Sequence, residues 1–323
     1  MTNMGQLTVV VCEDMVSRSD LVVVGEVGVD AILLGVSKIP KNWSDVEFVE
    51  GGGLFPAGSA GYVAQCFSKL GGSCRLVGKI GDDDLGSYLL RQFKKYGVDV
   101  NFLKITSDEE TEMTVILIFK DLEKIQFITK IAPLTSEDVD ASCLDGARAL
   151  HFAGYLLMPE LWGDAGERLA RRAKADGLFV SLNTQMCPRE DWASPLKKIL
   201  KHVDLLLVDE EEAKRISGAQ LINAASKALR ELGPEIVAIK MGKEGCFVLS
   251  KEGQIKVPAV RVSSICTVGA GDAFDSAFIL GALNRWEIGK TARFANSVAA
   301  LSTTKLGCST ALSSAGAMVK NLS

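Results

Sequence analysis

The segment Gly269-Ala270-Gly271-Asp272 combines close backbone access with a carboxylate, and it precedes a stretch in which Phe274, Ala277, Phe278 and Gly281 recur at helical spacing. Glycine lets the backbone approach a ligand. Unpaired amides at a helix start, with the positive end of its dipole, bind negative charge, so the segment reads as an anion hole. Asp272 at its mouth is placed to take the proton from a hydroxyl that attacks phosphorus. The same residues also fit an ordinary glycine turn in which Asp272 is only the helix N-cap.

In an open parallel sheet, ligands bind beyond the carboxyl ends of the strands, so polar residues directly after apolar runs are the other candidates. They are the segment from Gly25 to Asp30, Asn183 with Thr184, Asp209 with Glu212, and Lys240 with Gly242. Competing phosphate signals fail. Gly289-Lys290-Thr291 lacks the earlier glycine of a P-loop, because Asn284 stands there, and Gly25-Glu26-Val27-Gly28 lacks the third glycine of a dinucleotide fingerprint. His151 and His202 have no ligand-spaced partners and read as structural.

The elements that must position these residues follow a rhythm. Apolar runs of strand length occur at 21–24, 74–77, 114–119, 125–128, 149–153, 179–182, 204–208, 236–239 and 246–249. Helical stretches between them, at 61–70, 85–96, 160–176, 210–217 and 221–232, each end at a glycine. This alternation predicts an α/β fold, a mainly parallel sheet flanked by helices. Residues 30–48 and 111–129 break the rhythm by alternating apolar and polar side chains, and 114–119 with 125–129 make a hairpin pattern around 120–124. They predict a separate small sheet.

The 323 residues exceed the usual single-domain size, yet no Pro- or Ser-rich linker divides them, so 20–323 reads as one elaborated domain behind an accessory tail, 1–19. Thirty-six basic against 40 acidic side chains, a net charge of −4, supply no positive field for nucleic acid or an anionic membrane. Small-molecule partners are expected. The apolar runs fall far short of the ~20 residues that span a bilayer. The run from Leu7 to Cys12 follows no basic residue and precedes Glu13 and Asp14, so it does not read as a signal peptide. Eight scattered cysteines without a C-x-x-C pair read as reduced, buried thiols of a cytoplasmic protein.

Over residues 20 to about 315 the sequence resembles the ribokinase (PfkB) family of carbohydrate kinases. The Gly-Ala-Gly-Asp-x-Phe segment at 269–274 is the most specific match. In order along the chain stand Gly25 with Asp30, Pro56-Ala57-Gly58 with Leu70-Gly71, Gly81-Asp82-Asp83 with Gly86, Asp209 with Glu212, Lys240 with Gly242 and Gly245, and Ala295-Asn296. The resemblance implies a ribokinase-like fold with a small β-sheet lid, from segments near 30–57 and 108–132, and a surface there for homodimerisation. It implies an ATP-dependent kinase acting on a hydroxyl of a sugar or sugar-like polyol, with magnesium. Asp272 would be the base, and Gly269, Ala270 and Gly271 would hold the transferring phosphoryl. Asp30, Gly58 and Tyr62 would face the substrate, Asp209 and Glu212 would organise magnesium, and Asp209, Lys240, Gly242, Gly245 and Asn296 would lie along the nucleotide.

Three departures bear on that reading. Tyr62 replaces the sugar-binding asparagine of the usual Pro-Gly-Gly-x-x-x-Asn, so substrate identity does not carry over. A Tyr62 ring stacked on a base would make the protein a nucleoside kinase instead. Asp209 replaces the usual asparagine of Asn-x-x-Glu and adds negative charge near magnesium. Cys266 replaces an aspartate that helps many members bind a monovalent cation, which puts potassium activation in doubt. Together these departures also leave open a catalytically silent binding protein on the kinase fold.

Overall fold

Aliphatic side chains point both ways from the first strand. In β1 (Leu21–Gly25), Leu21 and Val23 enter one hydrophobic cluster while Val22 and Val24 enter another, so both faces of the strand are covered. Each such fully buried side chain contributes roughly 1.5–3 kcal/mol of burial free energy. The computed structural model describes residues 20–185, 187–188 and 190–313. The tail read at 1–19, with Cys12, lies outside the described residues.

The chain continues through β2 (Gly28–Val36), β3 (Gly51–Ala57), α1 (Ser59–Lys69), β4 (Cys74–Gly81), α2 (Asp84–Lys95), β5 (Asp99–Thr106), β6 (Glu112–Phe119) and β7 (Lys124–Ile128). After β8 (Ala149–Ala153) come α3 (Asp164–Ala175), β9 (Phe179–Asn183), β10 (Leu205–Asp209), α4 (Glu210–Ser217), α5 (Ile222–Glu231) and β11 (Ile236–Lys240). β12 (Cys246–Ser250), β13 (Gly253–Val257), α6 (Ala270–Leu283) and α7 (Ile288–Ser302) follow.

Among the described residues, nine strands form one sheet in the order β13-β12-β11-β10-β9-β8-β1-β4-β5. Its pairings are parallel from β11 to β5, and only the β11–β12 and β12–β13 pairs are antiparallel. The two hydrophobic clusters lie on its two faces. The chain reverses from strand to strand through helices, and α4 stops at Gly218, whose φ of 73° is the left-handed conformation glycine adopts without strain.

A second sheet runs β3-β2-β6-β7, with β6 and β7 forming the expected hairpin. It brings together both stretches that broke the rhythm.

Helix α6 is buried on nearly its whole circumference, with every residue from Ala273 to Gly281 inside. It packs against α1 and α7. A helix clamped in this way is a rigid mount for its own first turn. Among the described residues no helix is long and apolar enough to cross a membrane, and the seven described cysteines are all buried.

Three strands went unread in the sequence. β5 alternates and is half exposed at the sheet edge, β3 opens with three glycines, and β13 is mostly exposed. None shows an apolar run. Conversely, residues 37–50 form no strand, although 30–48 had read as one alternating stretch. Helix α3 begins at Asp164 rather than at Glu160, because Pro159–Leu161 makes a 3₁₀ turn and Gly163, at φ 70°, breaks away before the helix.

Candidate active site

Helix α6 begins with Gly269 as its N-cap, at φ 76°, followed by Ala270, Gly271 and Asp272. Asp272 is therefore the third helical residue and makes no capping bond. Its side chain turns away from its own helix end. Ser59 Oγ, at the start of α1, donates to Asp272 Oδ1 over 2.7 Å. Asn183 Nδ2, at the end of β9, lies 3.5 Å from the same oxygen and donates over 2.7 Å to Asp275 Oδ2. One turn below Asp272, Asp275 is fully buried and receives both contacts from Lys240 Nζ at 3.0 Å.

Electrostatics follow from this packing. Burial, and then the nearby Asp275 charge, push the Asp272 carboxyl up to about 7. For Lys240, burial works against the charged form, but the carboxylates of Asp275, Glu212 and Asp272 outweigh it and raise the ammonium to about 12. Lys240 stays charged beside the anion hole. A Cβ placed on Gly271 would meet Lys240 Nζ at 3.4 Å, so the amide turn and this cation face the same space.

Gly58 sits at the N-cap of α1 with φ 79°, where any Cβ would lie 2.5 Å from the Glu26 carbonyl oxygen. That close approach brings the β1–β2 turn against α1. Tyr62 Oη donates to Asp30 Oδ2 across it over 2.5 Å. Tyr62 is 5 % exposed, packs in the core and lines the cavity. Burial pushes the Asp30 carboxyl up to about 6, partly offset by the Tyr62 hydrogen bond and the Lys124 charge. In the small sheet Asp30 stands opposite Thr114, and Gly28 opposite Glu112.

At the far end, Asp209 and Glu212 close a reciprocal capping box on α4: Glu212 N donates to Asp209 Oδ1 and Asp209 N to Glu212 Oε2, each over 2.7 Å. The box leaves one oxygen of each carboxyl outside it. Burial and the Asp209 charge push Glu212 up to about 7. Asn296 spends its amide on the carbonyls of Val257 and Pro258, at 3.1 and 3.0 Å, and so pins the loop after β13.

One cavity of about 920 Å³ takes in every residue that the resemblance assigned to substrate, phosphoryl group, metal or nucleotide: Asp30, Gly58, Tyr62, Asp209, Glu212, Lys240, Gly242, Gly245, Gly269, Ala270, Gly271, Asp272 and Asn296. Its size suits a nucleotide together with a small acceptor. Sequence reasoning assigned no role to Ser59, Asp275, Glu26 or Glu112, and it noted Asn183 only as a polar residue after a strand. Asp275, one turn from Asp272 on the same helix, had a local signal, and Glu26 lay within the segment from Gly25 to Asp30.

The other histidines and glycines behave as structural groups. His151 is fully buried on Ser181 Oγ at 2.9 Å, and burial pulls it down to about 3. His202 lies beside Glu167 at 3.6 Å. The Glu287 carboxylate occupies the α7 N-terminus by accepting from the Gly289 and Lys290 amides, so no phosphate cradle exists there.

Residues 18–315 match the pfkB family of carbohydrate kinases. The chain is 29 % identical over 295 residues to an aminoimidazole riboside kinase of Salmonella typhimurium, covering 80 % of this chain and 84 % of the relative. It is 27 % identical over 287 residues to fructokinase-2 of Oryza sativa subsp. japonica, covering 83 % and 85 %. A ribokinase of Arabidopsis thaliana, solved with ribose and ATP, superposes with a TM-score of 0.78 at 21 % identity, covering 94 % of this chain and 99 % of that one. That likeness extends to the ribokinase-like fold, including the smaller sheet. The chain therefore belongs to the pfkB family of carbohydrate kinases and is a phosphotransferase that acts on a hydroxyl group.

Proposed function

We propose that the protein transfers the terminal phosphoryl group of ATP to a hydroxyl of a sugar or sugar-like polyol, with Asp272 as the base. The observation that carries this reading is the placement of Asp272, a half-buried carboxyl held by Ser59 beside the first turn of α6, in a cavity that runs from Asp30 to Asn296. Asp272 lines the same cavity as Asp30, and a pKa near 7 lets it accept a hydroxyl proton at neutral pH. The amides of Gly269 and Gly271, with the Lys240 ammonium, face the charge that spreads over the transferring phosphoryl oxygens, while the Ala270 amide donates to the Thr267 carbonyl at 3.3 Å.

Magnesium fits the donors at the nucleotide end. Asp209 and Glu212 present hard carboxylate oxygens outside their capping box, as that ion requires. When bound, it would neutralise charge on the ATP phosphates. The Asp209 substitution keeps the oxygen that an asparagine would supply. The small sheet, carrying Asp30, Thr114 and Ile128 on the cavity side, serves as a lid that keeps water from the reacting groups.

By name, the two relatives act on different acceptors, so neither acceptor transfers to this chain. The test is direct: incubate the protein with ATP, magnesium and a mixed pool of sugars, polyols and nucleosides, and look for a phosphomonoester by mass spectrometry. A sugar or polyol phosphate is expected. Product only from nucleosides, or none from any compound while ATP binds, would remove this reading.

A further inference from the structure

Four carboxyl groups, Glu26, Asp30, Glu112 and Asp272, line the cavity, more than phosphoryl transfer needs. Glu26 follows β1 and Glu112 opens β6, and they are 8 % and 4 % exposed. One oxygen of each has a partner: Glu26 Oε1 accepts from Ser59 N over 3.2 Å, and Glu112 Oε1 from Thr114 Oγ1 over 3.2 Å. The second oxygen of each, Oε2, is buried and has no hydrogen-bond partner. Both residues line the same cavity as Asp30 and Asp272. Buried carboxyl oxygens without partners cost free energy, and folded proteins keep them mainly where a ligand completes them.

The chemistry of that ligand follows from what the protein withholds. Lys240 is committed to Asp275, and Lys124 acts on Asp30. Burial, mutual repulsion and the Asp272 charge push the Glu26 carboxyl well above its usual range, and burial together with Asp30 pushes Glu112 up to about 7. A hydroxyl would satisfy an orphan oxygen but leave the repulsion untouched. An ammonium group does both, since it brings three donors and a positive charge. A carboxylate or phosphate on the acceptor would add to the repulsion.

We propose that Glu26 and Glu112 form a subsite for a protonated amine on the acceptor, which makes amino sugars or aminopolyols the preferred substrate class. The proposal deepens the phosphotransfer reading and rests on it. Asp30 and Tyr62 then orient the hydroxyls, while the two glutamates choose among sugars by charge.

The test measures binding and turnover separately. Calorimetry with a non-hydrolysable ATP analogue and magnesium compares 2-amino-2-deoxyhexoses, 1-amino-1-deoxyketohexoses and aminopentoses with their parent sugars and N-acetyl derivatives. Phosphorylation of the same panel is followed with ATP. At least one amine should bind about tenfold or more tightly than both its parent and its acetylated form, the scale of one charge-assisted hydrogen bond. In Glu112→Gln, which keeps an oxygen for Thr114, that preference should shrink to within about threefold. A panel in which no amine outbinds its parent overturns the inference, as does a preference that survives unchanged in folded Glu112→Gln. Should the variant misfold, the wild-type panel decides alone. Neutral sugars phosphorylated without any amine preference would sink this subsite and leave the kinase reading standing; amine-selective binding without turnover on any compound would do the reverse.

Discussion

At the scale of single residues, the account turns on side chains that meet across long stretches of chain. Ser59 and Asp272, joined by one hydrogen bond, are 213 positions apart. Nothing near either residue in sequence announces the other, so Asp272 was legible as a candidate base from its glycine turn but its partner Ser59 was not. Cys266 makes a separate point. It is 1 % exposed, its amide is bonded to the Thr303 carbonyl, and burial raises its thiol. A soft, protonated thiol is a poor substitute for a carboxylate oxygen around potassium. Initial rates in sodium, potassium and tetramethylammonium buffers at matched ionic strength should agree within about twofold. A several-fold stimulation by potassium would mean that other oxygens complete a cation site.

At the scale of elements, the proposed reading puts the chemistry at the first turn of α6, and that turn can be blocked without unfolding the protein. A Cβ at Gly271 meets nothing closer than Lys240 Nζ at 3.4 Å, so Gly271→Val should fold. Its methyl groups would then fill the space in front of the amides. Circular dichroism should match the wild type while kcat falls roughly 10²- to 10³-fold, the range for a lost oxyanion-hole donor. A folded variant within threefold of wild type would make the turn a mere connection.

The same scale shows what could be read in advance. Central strands such as β1 and β10 are buried on both faces and so write continuous apolar runs, and the helices between them end in glycine. Edge strands β5 and β13 keep one face or more in water, and the glycines of β3 carry no propensity signal. The segment from Gly269 to Asp272 was readable as a candidate because its parts are contiguous. Glu26 and Glu112 were not, because only the pairing of β2 with β6 brings Glu112 opposite Gly28, beside the turn that carries Glu26.

For the molecule as a whole, the lid sheet has two unlike faces. Its strand register aligns Leu54, Ala31, Val115 and Phe127 in one row and Leu33, Leu117 and Ile125 in the next. Leu54 and Phe127 are 51 % and 59 % exposed, far from the pattern of a wet face. A contiguous apolar surface of this kind on a sheet favours association with a second copy. We expect a homodimer through the lid at micromolar concentration, and Phe127→Asp should dissociate it. Sedimentation equilibrium checks both, and a wild-type monomer at tens of micromolar would refute the interface.

The central claim, that Asp272 takes the proton from the acceptor hydroxyl, is tested most directly by the steady-state rates of wild type and Asp272→Asn on one accepted substrate across pH. Protonation removes the base, so wild-type kcat/KM should fall as the pH drops below about 7. The asparagine variant keeps the side-chain volume and should bind ATP almost unchanged. Its kcat should be roughly 10²- to 10⁴-fold lower at pH 8. A variant that retains more than about half the wild-type rate would show that Asp272 is not the base.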